Sequence, residues 1–362
     1  MWGLIMRWWR HILPILAIIL LLLFARQIYP YTTPQNNVNI DGFEIEKVAS
    51  GLGGPTCIEW VSSEELLICD RDGDRILLMN ISNDFDYQVI IDGLNNPHDV
   101  HFDGDVLFVS EAGKLSRYNI SLNWQVGEKL VLIDDVPVGN HQTNGINAMP
   151  NGTLIWHSGS TCNICLEDDS RNGALLWVDG QTGDHGILAS GVRNSFDGVW
   201  VDSMGYLFTD NGRDWEGDHP HEEVNLLIQG ADYGWPNDEP DDPVPPGTIG
   251  PIAKWTPHTS MNGIDVRPEN SSLPGLSTSA GHTVYASVYG SWNTLLPKGH
   301  EIVRIDFTPA FDEEGNFSGW DSDETRIATQ LGTPLPLRFS PSGDLYYATF
   351  GGGGTLNRFV QL

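Results

Sequence analysis

The chain has 362 residues, enough for two ordinary domains or one large β-domain, and its 40 Gly, 22 Pro and 13 Trp come without long amphipathic helical stretches. That composition favours many short strands joined by turns. With 19 basic against 48 acidic residues the net charge is −29, so nucleic acid and anionic membrane surfaces are poor partners for the body of the protein, and the acid serves solubility or cation binding.

Residues Ile12 to Phe24 are almost wholly apolar (ILPILAIILLLLF), and Arg7, Arg10 and His11 precede them. Positive charge before an apolar run keeps the N-terminus in the cytoplasm and sends the downstream chain across. The run is short for a full span, and no small-x-small cleavage site comes after it. Residues 1–28 therefore read as an uncleaved signal anchor, with a cleaved signal peptide as the alternative. The membrane would be met through this helix only, and the rest of the chain would be exported. Residues 29–40 read as a polar, Pro-containing linker. Asn80, Asn119, Asn151, Asn270 and Asn316 each open an Asn-x-Ser/Thr acceptor, which suits a glycoprotein outside the cell.

From residue 41 onward a pattern repeats: a small or acidic residue, an apolar pair, then a polar residue. It reads EELLICD, GDVLFVSE, NGTLIWHS, MGYLFTDN, GHTVYASV and GDLYYATF. Each copy is expected to be a half-buried strand. About ten residues earlier a second pattern leads into another strand: GLGGPTCIEW, GLNNPHDVHF, GNHQTNGINA, GVRNSFDGVW, HTSMNGIDV and GTPLPLRFS. Six such units predict an all-β, six-bladed β-propeller over 41–362, preceded by one N-terminal helix. Phe43–Ser50 is placed to close the ring by pairing near Leu356–Val360. Cys57 and Cys69 flank the first hairpin and are expected to bridge. Cys162 and Cys165 have the spacing of a redox pair but lack its βαβ context, so a structural bridge is favoured there too.

In a propeller the loops leading into the inner strands open on one face around the axis. His98, His141, Asn144, Arg193, Asn194, His258 and Asn262 should then meet. His141 is a candidate proton acceptor, against the alternative of a loop histidine bonded to backbone. Arg193 offers a permanent cation to developing negative charge, unless it only closes a turn with Asn194. Asn211, Gly212, Arg213 and Asp214 with Glu222 and Glu223 supply carbonyl and carboxylate oxygens suited to calcium. A transition-metal site through His219 and His221 is the alternative, and a plain solvated acidic loop is the bland reading.

With these residues in hand the chain resembles the soluble quinoprotein glucose dehydrogenases and their sorbosone dehydrogenase-like relatives. The resemblance spans Gly42 to Leu362 and rests on GNHQTNGINAMPNGTLIWHSGSTCNIC, GVRN, TDNG, EEVNLLIQGADYGWP and YGSWN. It implies a six-bladed propeller that oxidises a sugar hydroxyl with pyrroloquinoline quinone (PQQ) held on calcium, passing electrons to an external acceptor. His141 then looks like the general base and Arg193 like the cation facing the quinone. Asn194 and Asn211 look like cofactor contacts. The carbonyls of Gly212 and Arg213 stand where the cofactor's calcium binds, with Arg213 replacing a usual proline. Glu223 and Tyr233, with Asp241 or Asp242, resemble a second, structural calcium site.

Two departures stand out. Asn293 and Thr294 occupy the fifth-blade position where the family has a basic residue, leaving Lys298 as a substitute. The last leading loop, GTPLPLRF, has no arginine before Leu337, and Arg338 lies on the strand. PQQ carries three carboxylates, so these losses weaken the cofactor reading. They favour a second reading, a cofactor-free propeller acting as an exported binding module. A third is a calcium-dependent lactonase with His98, Asn144, Asn262 and Glu111 as ligands.

Overall fold

The computed structural model describes residues 2–27, 34–214, 217–238, 244–292, 294 and 297–362. Among them are six antiparallel sheets, five with four strands and one with five. Blade one runs through Pro55–Trp60, Glu65–Asp70, Arg75–Asn80 and Asp86–Ile91, in chain order from inside to outside. Blades two to five come next, with inner strands Asp99–Asp103, Thr143–Ala148, Gly198–Val201 and Met261–Val266. Blade six starts at Pro334–Phe339 and takes its fourth strand from the start of the propeller. Phe43–Ser50 lies antiparallel to Thr355–Gln361, with Glu44 opposite Val360 and Ala49 opposite Leu356, so the ring closes as the sequence predicts. Asn37–Val38 adds an edge strand against Ala328 and Thr329 of blade five.

All six copies of the repeated pattern are second strands, but they are not half-buried. Leu66–Asp70, Leu107–Glu111, Leu154–Ser158, Tyr206–Asp210, Thr283–Val288 and Leu345–Ala348 are buried along their length. Each lies inside a sheet covered on both faces by neighbouring blades, so alternation has no solvent face to report. The core is accordingly a set of inter-blade layers, such as Leu67, Val100, Leu107 and Val109 between blades one and two.

Both expected disulfides are present, Cys57–Cys69 and Cys162–Cys165. They point to an extracellular protein. The helix covers Trp2–Gln27, and no helix among the described residues is long and apolar enough to cross a membrane. Leu13, Ile18 and Leu20 of this helix are exposed.

Candidate functional site on the axial face

The face is built by one device used three times. An acid at the end of the second strand accepts main-chain N–H groups from the leading loop of its own blade. Asp70 takes Gly54 (2.9 Å), Glu111 takes Asn95 (2.9 Å), and Asp210 takes both Arg193 (2.9 Å) and Asn194 (2.7 Å). Buried carboxylates bonded this way fix the loops that carry the site. Neighbouring loops are then stitched together. Asn144 Nδ2 donates to Asn194 Oδ1 (2.9 Å) and to the Ser195 carbonyl (2.7 Å). Asn211 Nδ2 donates to Asn262 Oδ1 at 3.0 Å. The rings of His98 and Phe196 meet edge to face at 4.9 Å across the axis. Residues from blades two to five thus converge.

His141 is mostly buried. Its Nδ1 lies 2.8 Å from Ser160 Oγ and 3.1 Å from the Ser160 carbonyl. Ser160 Oγ donates its own hydrogen to the Cys162 carbonyl at 2.8 Å, so toward His141 it can only accept. Both partners of Nδ1 are acceptors, which puts the proton on Nδ1 and leaves Nε2 with the lone pair. Burial, and then the Arg193 charge, push the His141 pKa down to about 3. The ring is neutral throughout the physiological range.

Arg193 is 4 % exposed. Its guanidinium donates to the Asn163 carbonyl (3.3 Å), Asn163 Oδ1 (2.9 Å), the Asn211 carbonyl (3.1 Å) and Asp214 Oδ2 (3.0 Å). Asp214, itself pushed up by burial, is the one carboxylate in that set.

A small cavity beside Arg193 gathers the acid. Gly212, Glu223 and Tyr233 line it, with Asp210 and Asp238. Burial and the neighbouring acids push Glu223 up to about 8, and burial pushes Asp210 up to about 7. A Cβ on Gly212 would lie 2.9 Å from the His221 carbonyl oxygen and 3.0 Å from that of Pro220, so two main-chain segments meet here. Buried carboxylates beside carbonyl oxygens suit a hard cation. Tyr233 offers only its main chain, because its hydroxyl donates to the Leu226 carbonyl (2.6 Å) and accepts from the Ile228 N–H (3.0 Å). The Arg213 guanidinium turns to Asp238 and the Pro236 carbonyl, which answers its charge. Asp241, Asp242 and Asn293 lie outside the described residues. His219 stands half-exposed beside Asp218, Glu222 is buried and accepts the Thr259 N–H at 2.8 Å, and among the described residues no group of three metal-ligating side chains gathers around His219 and His221.

Among the cations, Arg338 points inward and is held by Asp197, so it offers nothing to a ligand on the face. Lys298 is exposed, with its charge felt at His258. Arg71 was not anticipated. It leaves the second strand of blade one where Asn211 leaves that of blade four, so the repeat itself held the signal. Its guanidinium lies over the Phe350 ring at 5.5 Å, it makes no ion pair among the described residues, and its charge is felt at His98. Buried His98 Nδ1 and Asn211 Oδ1 also have no partner among the described residues. An anionic ligand with polar edges fits these groups.

Two further features escaped the sequence. Ser160 and Asn163 grip His141 and Arg193, although their motif had suggested only a disulfide. Behind Asn194, Ser195 Oγ meets His157 Nδ1 (2.8 Å) and His157 Nε2 meets the Tyr206 hydroxyl (2.7 Å), locking the loop to the core. The lactonase ligand set does not assemble: Glu111 accepts from Lys129 Nζ and from the Asn95 N–H, each at 2.9 Å, and Asn262 Oδ1 accepts from Asn211 Nδ2 at 3.0 Å.

No protein-family model matches the chain, and no curated protein matches it. Solved structures share its fold. A Trichoderma reesei protein of Carbohydrate-Active Enzymes Family AA12 superposes with a TM-score of 0.73 at 18% identity, covering 91% of this chain and 98% of that one. The holo PQQ domain of pyranose dehydrogenase from Coprinopsis cinerea gives 0.72 at 18% identity over 92% and 98%. The PQQ-bound aldose sugar dehydrogenase of Streptomyces coelicolor gives 0.66 at 16% identity over 88% and 98%.

Proposed function

We propose that the protein is a sugar dehydrogenase that oxidises a CH–OH group with PQQ and calcium and hands the electrons to an external acceptor. The observation that carries this reading is His141 Nε2, a lone-pair nitrogen set on the axial face of this fold within the field of Arg193. When bound, PQQ supplies a two-electron acceptor for the hydride. His141 Nε2 takes the hydroxyl proton as that hydride leaves, because otherwise an unstable protonated carbonyl forms. Arg193 meets negative charge that develops on the acceptor, in a site already organised for it. Asn194 and Asn211 orient the acceptor through their amides. Arg71 and Lys298 answer carboxylates in place of the family's missing cations. The Gly212 and Arg213 carbonyls would hold one calcium, and Glu223, Asp210, Asp238 and the Tyr233 carbonyl would hold a second in the buried cavity.

The site works outside the cytoplasm, where both disulfides persist. The exposed apolar helix before it serves export or anchoring. A cofactor-free binding module is the second reading, favoured by Arg338 and Arg213 being spent on Asp197 and Asp238. Titration with PQQ and calcium, then dye reduction with a panel of aldoses, decides between them: saturable uptake supports the enzyme, and none supports the module.

A further inference from the structure

His141 and Arg193 lie in different loops, yet one short segment holds both. Ser160 grips His141 Nδ1 through its hydroxyl and its carbonyl. Asn163 grips Arg193 Nε through its carbonyl and Nη2 through Oδ1. The segment between them is itself pinned. The Thr161 carbonyl accepts the Asn140 N–H at 2.8 Å, and Thr161 donates its amide and hydroxyl to Glu167 at 2.7 Å each. The Asn163 carbonyl also accepts Trp235 Nε1 at 3.1 Å, and its Oδ1 accepts the Asp214 N–H at 2.9 Å. Cys162 and Cys165 close a ring around Asn163 and Ile164. This bridge is half-buried beside Ile164, which is 45% exposed, whereas Cys57 and Cys69 are 3% and 0% exposed.

We propose that Ser160 and Asn163 are positioning residues for His141 and Arg193, and that the Cys162–Cys165 bridge holds them in place, so that its reduction by a dithiol switches the site off. The proposal rests on the roles given to His141 and Arg193 above. With the bridge intact, the Cys162 carbonyl takes the Ser160 hydrogen, and Ser160 then accepts from His141 Nδ1–H. Once the bridge opens, residues 162–165 regain backbone freedom that the closed ring had removed, and hydrogen bonds alone must keep them ordered. The Ser160 hydroxyl regains its freedom to donate, and Arg193 keeps only Asn211 and Asp214. In the chemical step a thiolate of the dithiol attacks one sulfur, and its second thiol closes a ring. The dithiol is oxidised by two electrons, and Cys162 and Cys165 each end as a thiol with one proton. The buried Cys57–Cys69 bridge is out of reach and serves as an internal control.

The test uses the full chain without cofactor and reads the imidazole nitrogens of 15N-labelled protein, with His141 assigned from His141→Ala. Oxidised wild type should show the Nδ1–H tautomer of His141 from pH 5 to 8. Dithiothreitol, at a dose that peptide mapping shows to open only Cys162–Cys165, should give mixed tautomers and a higher His141 pKa. Cys162→Ser/Cys165→Ser should do the same without reductant, and Asn163→Ala should raise the His141 pKa while the bridge stays closed. In PQQ-loaded protein the same changes should lower kcat about tenfold or more, with KM held within about twofold, as expected for lost positioning. An unchanged His141 spectrum in folded, reduced wild type and in Asn163→Ala would overturn the proposal, even where the double serine variant does not fold. If wild type takes up no PQQ, only the dehydrogenase reading fails, because the nitrogen spectra need no cofactor.

Discussion

Arg338 on the inner strand of blade six closes a two-pronged ion pair on Asp197, which leads into blade four: Nη1 to Oδ2 at 2.6 Å and Nη2 to Oδ1 at 3.0 Å. The same Nη1 donates to the Ile264 carbonyl of blade five at 3.0 Å. Asp99, on the second inner strand, is pushed well up by burial and by Asp197. One buried cation thus answers several axial acids. Removing one partner of a buried pair leaves an uncompensated charge and typically costs about 3–5 kcal/mol. Arg338→Met and Asp197→Asn should each lower stability on that scale in denaturant unfolding. Arg338→Met should leave any PQQ affinity within about twofold in the folded protein, because the guanidinium does not reach the face; a tenfold loss would return Arg338 to the cofactor site.

His141→Ala should leave cofactor binding nearly intact and lower turnover by about a hundredfold or more, the scale for a positioned base. Arg193→Ala should lower turnover and also weaken quinone binding, because its charge serves both. His258→Ala, on the same face with no assigned role, is the control. Equal rates for wild type and His141→Ala would remove the base assignment.

Buried histidines set an acid limit on stability. Burial pushes His98 down to about 3 and His157 down to about 4. A lowered pKa means that the unfolded chain takes the proton first. The stabilisation is therefore complete above the free value near 6.5 and is lost as pH falls through it towards 3 or 4. His157→Gln, which cannot take up that proton, should lose less stability than wild type between pH 7 and pH 4, by about 1 kcal/mol or more. Parallel losses in the two proteins would show that His157 does not titrate with unfolding.

On the proposed function, calcium should raise the melting temperature of chelator-treated protein, as expected of a ligand that binds the folded cavity and not the unfolded chain. Glu223→Gln should abolish most of that rise, since Glu223 sits with Asp210 and Asp238 in one buried cavity. A melting temperature indifferent to chelator and calcium would mean that the cavity holds no calcium.

Arg71→Ala and Lys298→Ala should each weaken PQQ binding by about tenfold, the worth of one charge-assisted contact at a partly exposed site. Titration of the apo protein by fluorescence checks this directly. Unaltered affinity in both would leave the cofactor's carboxylates without cations from this face.

Blade number, ring closure and both bridges were legible because they rest on repeated local patterns: an apolar pair after a turn, and Phe43–Ser50 left over at one end. Burial was misjudged, since a strand packed on both faces keeps polar residues such as Ser110 and Ser287 inside by bonding them, which alternation cannot reveal. The convergence of His141, Arg193 and Asn194 came from the repeat alone. Side-chain direction did not. Arg338 and Arg71 are both arginines near the ends of strands, yet one points into the axis and the other lies on the face over Phe350. Asn163 was hidden because its partners, Arg193 and Asp214, are 30 and 51 positions away.

The most direct test is calorimetric titration of PQQ, with calcium, into the apo protein, with dye reduction by aldoses measured on the same sample. A PQQ-dependent dehydrogenase should show saturable binding near one equivalent and sugar-dependent dye reduction that His141→Ala nearly abolishes without loss of binding. No uptake of PQQ by correctly bridged, calcium-loaded protein would contradict that function and leave a propeller that binds without oxidising.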